Sequence, residues 1–213
     1  MMKPHAGQPI YRKGKAVEEA KAAMVMIHGR GGSAENILTL SDNLYHPDMA
    51  YLAPQAANNT WYPYSFLAPI QDNEPGISSG LTVIKGIVDA LMKVGMSQDK
   101  IFIAGFSQGA CLALEFAARH AGPYGGIVAF SGGLIGPDGT PRNYAGDFQS
   151  TPVFLGCSDT DPHIPFKRVH ESTGVFEHMG AKVTERIYPN MGHTINEDEI
   201  AFVNTMIEEV ANR

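Results

Sequence analysis

Little in this chain points to a disulfide scaffold, a membrane span or a nucleic-acid partner. Only two cysteines, Cys111 and Cys157, occur among 213 residues, too few for a disulfide framework or for a zinc site built on cysteine pairs. They read as two buried thiols. The longest apolar runs, such as 22–27, fall far short of the roughly 18 residues a membrane span needs. The N-terminal residues Lys3, His5 and Gln8 interrupt any apolar signal core, so the expected setting is cytoplasmic. Sixteen Lys plus Arg against 22 Asp plus Glu leave a net charge of −6, and no basic stretch interleaves with aromatics. Nothing therefore supplies the counterion release on which nucleic-acid binding depends. Internal repeats and low-complexity segments are missing as well.

What is present suits one soluble domain spanning residues 1–213, with 44% hydrophobic and 18% charged residues to build a packed core. The continuous apolar run 22–27 predicts a strand buried on both faces. It stops at His28-Gly29-Arg30-Gly31-Gly32, after which Ser33 can cap a helix carrying Ile37, Leu38 and Leu40. A second strand is predicted over 49–53. Residues 58–76 hold Trp61, Tyr62, Tyr64 and Phe66 among prolines and amides with no period, and predict a long aromatic loop. Leu81, Ile84, Val88 and Leu91 recur at helical spacing up to Gly95. Strands follow at 101–104, 127–130, 153–155 and 183–188, with helices from about Gln108 to Ala118, over 166–179, and after the Asn196–Glu199 capping pair. Strands alternating with helices mean crossover units, hence an α/β fold with a mainly parallel, doubly wound sheet. Ligands of such sheets lie beyond the carboxyl ends of the strands. Only about twenty residues separate the strands at 127–130 and 153–155, too few for a large cap domain.

Gly105-Phe106-Ser107-Gln108-Gly109 stands between the strand 101–104 and the helix beginning near Gln108. In this G-x-S-x-G context the serine is forced onto a sharp turn with its hydroxyl above the sheet, and the flanking glycines let strand and helix pass closely. A nucleophilic serine needs a base, and the chain order Ser, acid, His restricts where it can be. His170 and His178 fall inside a predicted surface helix, and His163 would share one loop with Asp161. His193, between the last strand and the last helix, is the candidate base. For the acid, Cys157-Ser158-Asp159-Thr160-Asp161-Pro162 offers two carboxylates. Asp161 is preferred because Pro162 fixes the backbone beside it, with Asp159 as its rival. The two oxyanion donors expected are the amide of Gln108 at its helix start and the amide of Arg30 in the Gly-rich loop, each worth about 2.7–4 kcal/mol of barrier by precedent. That loop lacks the Lys-Ser or Lys-Thr ending of a phosphate-binding loop, which argues against an NTPase.

Four blocks in order, 28–32, 105–110, 161–165 and 191–193, make the sequence resemble the phospholipase/carboxylesterase family of α/β-hydrolases, the small carboxylesterases and acyl-protein thioesterases. The resemblance implies an α/β-hydrolase fold, a triad of Ser107, Asp161 and His193, and oxyanion amides from Arg30 and Gln108. Two departures are visible: four residues rather than two precede the Asp161-Pro162 pair, and Arg30 stands where the thioesterase branch often has an apolar side chain.

The expected chemistry is acyl transfer to Ser107 and release by water, with no metal or cofactor. Turnover should fall as acid protonates His193. Leu134, Ile135, Ile164 and the aromatic loop at Trp61, Tyr62, Tyr64 and Phe66 are the expected walls of an open pocket for short acyl or aromatic esters, with thioesters as an alternative. The implied partner is a small-molecule ester; the oligomeric state is open, a homodimer included. Rival readings are a dienelactone-hydrolase-like enzyme, which would carry cysteine at the elbow, and a silent scaffold that only binds a ligand.

Overall fold

The computed structural model describes residues 3–213. Strands β1 (Ile10–Gly14), β2 (Ala22–Ile27), β3 (Met49–Pro54), β4 (Ile101–Phe106), β5 (Gly126–Phe130), β6 (Pro152–Ser158) and β7 (Lys182–Tyr188) form one sheet. Their order is β1-β3-β2-β4-β5-β6-β7. Every neighbouring pair is parallel except β1 with β3. All six residues of β2 are buried, because alternate side chains enter two separate cores. Ala23, Val25 and Ile27 pack toward α2 (Gly76–Lys93), α3 (Gln108–Arg119) and α4 (Phe166–His178). Ala22, Met24 and Met26 pack toward α1 (Ala34–Leu38) and α5 (Glu197–Ala211). A strand covered on both faces loses the polar alternation of a half-exposed one, which is why the sequence shows an unbroken apolar run.

Two features depart from the sequence reading. The edge strand β1, Ile-Tyr-Arg-Lys-Gly, is mostly exposed and pairs antiparallel with β3 from Ile10 opposite Pro54 to Gly14 opposite Ala50. Its charge and brevity hide it from a hydrophobic-pattern search, and the same properties protect a free sheet edge from pairing with other chains. Helix α2 begins at Gly76, five residues before the first expected core position. The opening Gly-Ile-Ser-Ser-Gly looks like a turn by composition. Packing overrides it, since a Cβ at Gly76 would strike the Trp61 carbonyl and one at Gly80 would crowd Leu112. Residues 131–151 between β5 and β6 contain no helix or strand, so this crossover adds no cap domain over the carboxyl end of the sheet.

At that end lie the loops 28–33, 107, 159–165 and 189–196. The last of these runs directly into α5, whose start is fixed by a reciprocal pair: the Asn196 side chain accepts from the Glu199 amide, and Glu199 Oε2 accepts from the Asn196 amide. The second oxygen, Oε1, is buried with no hydrogen-bond partner among the described residues, and burial pushes the Glu199 carboxyl up from 4.5 to about 7. The stability linked to its protonation is complete below 4.5, the value proper to the unfolded chain, and is lost as pH rises through about 7. Glu199→Gln, neutral at every pH, therefore gains stability relative to wild type between about pH 5 and about pH 8 in urea titrations. A constant difference across that range would rule out this group as the source.

Candidate active site

Ser107 stands between β4 and α3 at φ 55°, ψ −119°, a positive-φ conformation that costs a side-chain-bearing residue of order 1–3 kcal/mol. The surroundings hold it there: its amide donates to the Phe130 carbonyl at 2.9 Å and its carbonyl accepts from the Cys111 amide at 3.0 Å. The flanking glycines are required by contact. A Cβ on Gly105 would overlap the Gly109 carbonyl, and one on Gly109 would overlap the Ile27 carbonyl. The serine is thus lifted off the end of β4 by a turn that only glycine permits at both ends.

The structure brings Ser107, His193 and Asp161 into one chain of hydrogen bonds. The Ser107 hydroxyl lies 2.8 Å from His193 Nε2, and Asp161 Oδ2 lies 2.7 Å from His193 Nδ1. Asp161 Oδ1 accepts from the amides of His163 at 2.8 Å and Ile164 at 3.0 Å. Burial pushes the Asp161 carboxyl up, but the bonds from His193 and these two amides outweigh it and hold the group below its ordinary range. An ionised carboxylate at Nδ1 keeps the proton there, leaving Nε2 free to accept from serine. The rival, Asp159, points elsewhere: its Oδ1 accepts from the Asn190 amide at 2.8 Å, closing the turn that leads to His193. Ser158 Oγ accepts from the Gly192 amide at 3.0 Å in the same turn. The His193 ring also packs on Phe106 and on His163, each with centroids 4.9 Å away.

The Gly-rich loop after β2 is shaped by His28. Its Nε2 accepts from the Ala56 amide at 3.1 Å, so Nδ1 carries the proton and donates to the Gly29 carbonyl at 2.7 Å. Burial lowers the His28 pKa and keeps the ring neutral. In a trans peptide the C=O and N–H point in opposite directions, so fixing the Gly29 carbonyl on one side directs the Arg30 amide to the other. That amide has no partner among the described residues. The Gln108 amide is the first of α3, where helical geometry leaves the donor free. Sequence reasoning missed the His28 anchor and the Gln108 side chain. The latter is buried, accepts from the Trp61 amide at 2.8 Å and donates to the Tyr62 carbonyl at 2.8 Å.

A cavity of about 420 Å³ opens over Ser107, walled by Arg30, Tyr62, Tyr64, Phe66, His163 and Ile164. Three expected walls lie elsewhere. Trp61 is fully buried behind the loop, donating Nε1–H to the His28 carbonyl at 2.9 Å. Leu134 and Ile135 are fully buried because the segment after β5 turns inward between two helices. The Leu134 amide donates to Ser172 of α4 and the Ile135 amide to Glu115 of α3. Tyr62, Tyr64, Phe66 and Ile164 line the cavity as expected, whereas His163 was not anticipated as a wall; loops without a period give no sign of which side chains face inward.

The sequence profile of the phospholipase/carboxylesterase family matches residues 14–211. The chain belongs to this family. It is 27% identical to acyl-protein thioesterase 1 of Debaryomyces hansenii, with 96% of this chain and 98% of that protein covered. The crystal structure of a phospholipase/carboxylesterase from Dyadobacter fermentans superposes with a TM-score of 0.93 at 48% identity, over 97% of this chain and 99% of that one. The Bacillus cereus carboxylesterase, at 18% identity, shares the fold with a TM-score of 0.76, over 96% of this chain and 95% of that one. The chain is thus an α/β-hydrolase of the phospholipase/carboxylesterase family, a hydrolase of ester bonds.

Proposed function

We propose that this phospholipase/carboxylesterase family member hydrolyses small carboxylic esters through an acyl-enzyme on Ser107. The observation that carries the reading is the unbroken relay from Asp161 through His193 to a serine hydroxyl on a strained elbow, with both separations below 3 Å. His193 Nε2 takes the hydroxyl proton as Oγ attacks the carbonyl. The tetrahedral oxyanion is held by the amides of Gln108 and Arg30. His193 returns the proton to the leaving alkoxide, and a water then repeats the sequence to free the acid. Asp161 stabilises the imidazolium that forms in each half-reaction.

The cavity volume of about 420 Å³ is toward the small end of ligand pockets, roughly 300–1,000 Å³, and favours short acyl or single-ring substrates over long lipid chains. A turnover panel of short, long, aryl and thioester substrates tests this: short and aryl esters should lead in kcat/KM, and a long-chain thioester as best substrate would overturn the size argument. Cysteine chemistry of the dienelactone-hydrolase kind has no support. Serine occupies the elbow, and burial pushes both the Cys111 and Cys157 thiols up to about 12, where little thiolate exists. No helix among the described residues is long and apolar enough to cross a membrane. The two cysteines are free and buried, which is compatible with a reducing compartment such as the cytoplasm.

A further inference from the structure

The Arg30 side chain has a task separate from its amide. Its Nη1 donates to the Pro63 carbonyl at 2.8 Å and to Thr60 Oγ1 at 3.2 Å, and its Nη2 donates to the Tyr64 carbonyl at 2.5 Å. All three acceptors are neutral. Arg119, Arg142, Arg168 and Arg186 each face a carboxylate within 4 Å; Arg30, like Arg12 and Arg213, has no such partner among the described residues, and of these three Arg30 is the one that lines the cavity over Ser107. Its full positive charge is therefore uncompensated, and its Nε–H and one Nη2–H are uncommitted. Three bonds to the loop fix the fork in place, which removes most of the side-chain entropy that binding an anion would otherwise cost.

This cation shares a cavity with Ser107, and no Asp or Glu lines that cavity. The nearest carboxylate of the machinery, Asp161, has a fully buried side chain engaged by His193. The other ionisable groups facing the space that can become cationic are His163 and His193, which add positive charge or none. The chain's net charge of −6 opposes anions at long range. Exposed charges are screened beyond about 8 Å at physiological salt, so Arg30 dominates inside the cavity.

We propose, resting on the ester-hydrolase reading above, that Arg30 makes this site selective for esters carrying a carboxylate a few bonds from the scissile carbonyl. The amide and the guanidinium of one residue then act on two parts of the same substrate, the first on the oxyanion and the second on the remote anion. A guanidinium–carboxylate contact supplies charge-assisted hydrogen bonds that a neutral group cannot match.

The carboxylate can sit on the acyl side or on the alcohol side, and matched pairs separate the two. Monoethyl glutarate is compared with ethyl 4-carbamoylbutanoate, and 4-carboxyphenyl acetate with 4-carbamoylphenyl acetate. In wild type one anionic member should exceed its amide counterpart in kcat/KM by roughly tenfold or more, and the preference should shrink as salt rises. The pair that shows it identifies the side. Arg30→Gln keeps hydrogen-bonding capacity toward the loop but removes the charge, and should abolish the ratio whatever it does to absolute rates. Arg30→Lys should keep part of it. Equal treatment of both pairs by wild type overturns the proposal, as does an Arg30→Gln variant that slows anionic and neutral members alike, the result expected of a loop staple only. Failure to turn over any of the four esters would instead sink the hydrolase reading on which it rests.

Discussion

Ser107→Ala should abolish labelling by a fluorophosphonate probe and lower ester turnover by roughly a million-fold, the scale seen when the nucleophile of a serine hydrolase is removed. The expectation follows from the elbow. The φ of 55° at Ser107 sets the hydroxyl 2.8 Å from the His193 nitrogen that must take its proton, and the described residues provide no second hydroxyl in that relay. Alanine fits the same backbone because the strain is imposed by the Phe130 and Cys111 hydrogen bonds and by the glycine contacts, none of which uses the hydroxyl. The variant should therefore fold with an unchanged circular dichroism spectrum. Residual turnover within a hundredfold of wild type, or undiminished probe labelling, would mean that another group attacks the carbonyl.

Asp161→Asn should cost roughly 10⁴-fold in kcat, and Asp159→Asn only a few-fold. An asparagine at 161 can turn its NH₂ toward His193 Nδ1, which moves the ring proton to Nε2 and leaves no lone pair facing Ser107. It also leaves a mismatch at the His163 and Ile164 amides if the oxygen rotates to avoid this. Among the described residues the one side-chain hydrogen bond at 159 is an oxygen accepting from the Asn190 amide, and asparagine supplies the same oxygen. Single-turnover rates on an aryl ester separate the two variants. Should Asp159→Asn prove the crippled one, the acid moves by two residues and the hydrogen bond between Asp161 and His193 loses its catalytic meaning.

Most of the sheet could be read before any coordinates because burial on both faces writes itself as runs such as 22–27 and 101–104. The elbow was legible for a related reason. Its glycines are demanded by backbone contacts local to the motif, so spacing alone exposes them. Asp161 and His193 came from chain order and from elimination among loop positions, without any view of their meeting. The failures share one cause. Trp61, Leu134 and Ile135 sit in segments without periodicity, where orientation depends on distant partners: the His28 carbonyl for Trp61, and α3 and α4 for the other two. Strand β1 escaped because its polarity serves an exposed edge. The buried Gln108 side chain escaped because its identity within G-x-S-x-G reads as filler until the Trp61 amide and Tyr62 carbonyl are seen around it.

The aromatic loop over the cavity is held mostly from outside its tip. Gln108 clamps its start, Arg30 its middle, Asn73 accepts from the Tyr64 amide at 2.8 Å, and the Phe66 carbonyl accepts from the Gly136 amide at 2.7 Å. Tyr64 itself is 59% exposed, and only its main chain takes part in these tethers. Position 64 is therefore free to vary at little thermodynamic risk, since exposed substitutions typically change stability by less than about 0.5 kcal/mol. Lineages descended from a common ancestor could exchange one clientele of substrates for another by a single codon there, leaving the scaffold and its relay untouched.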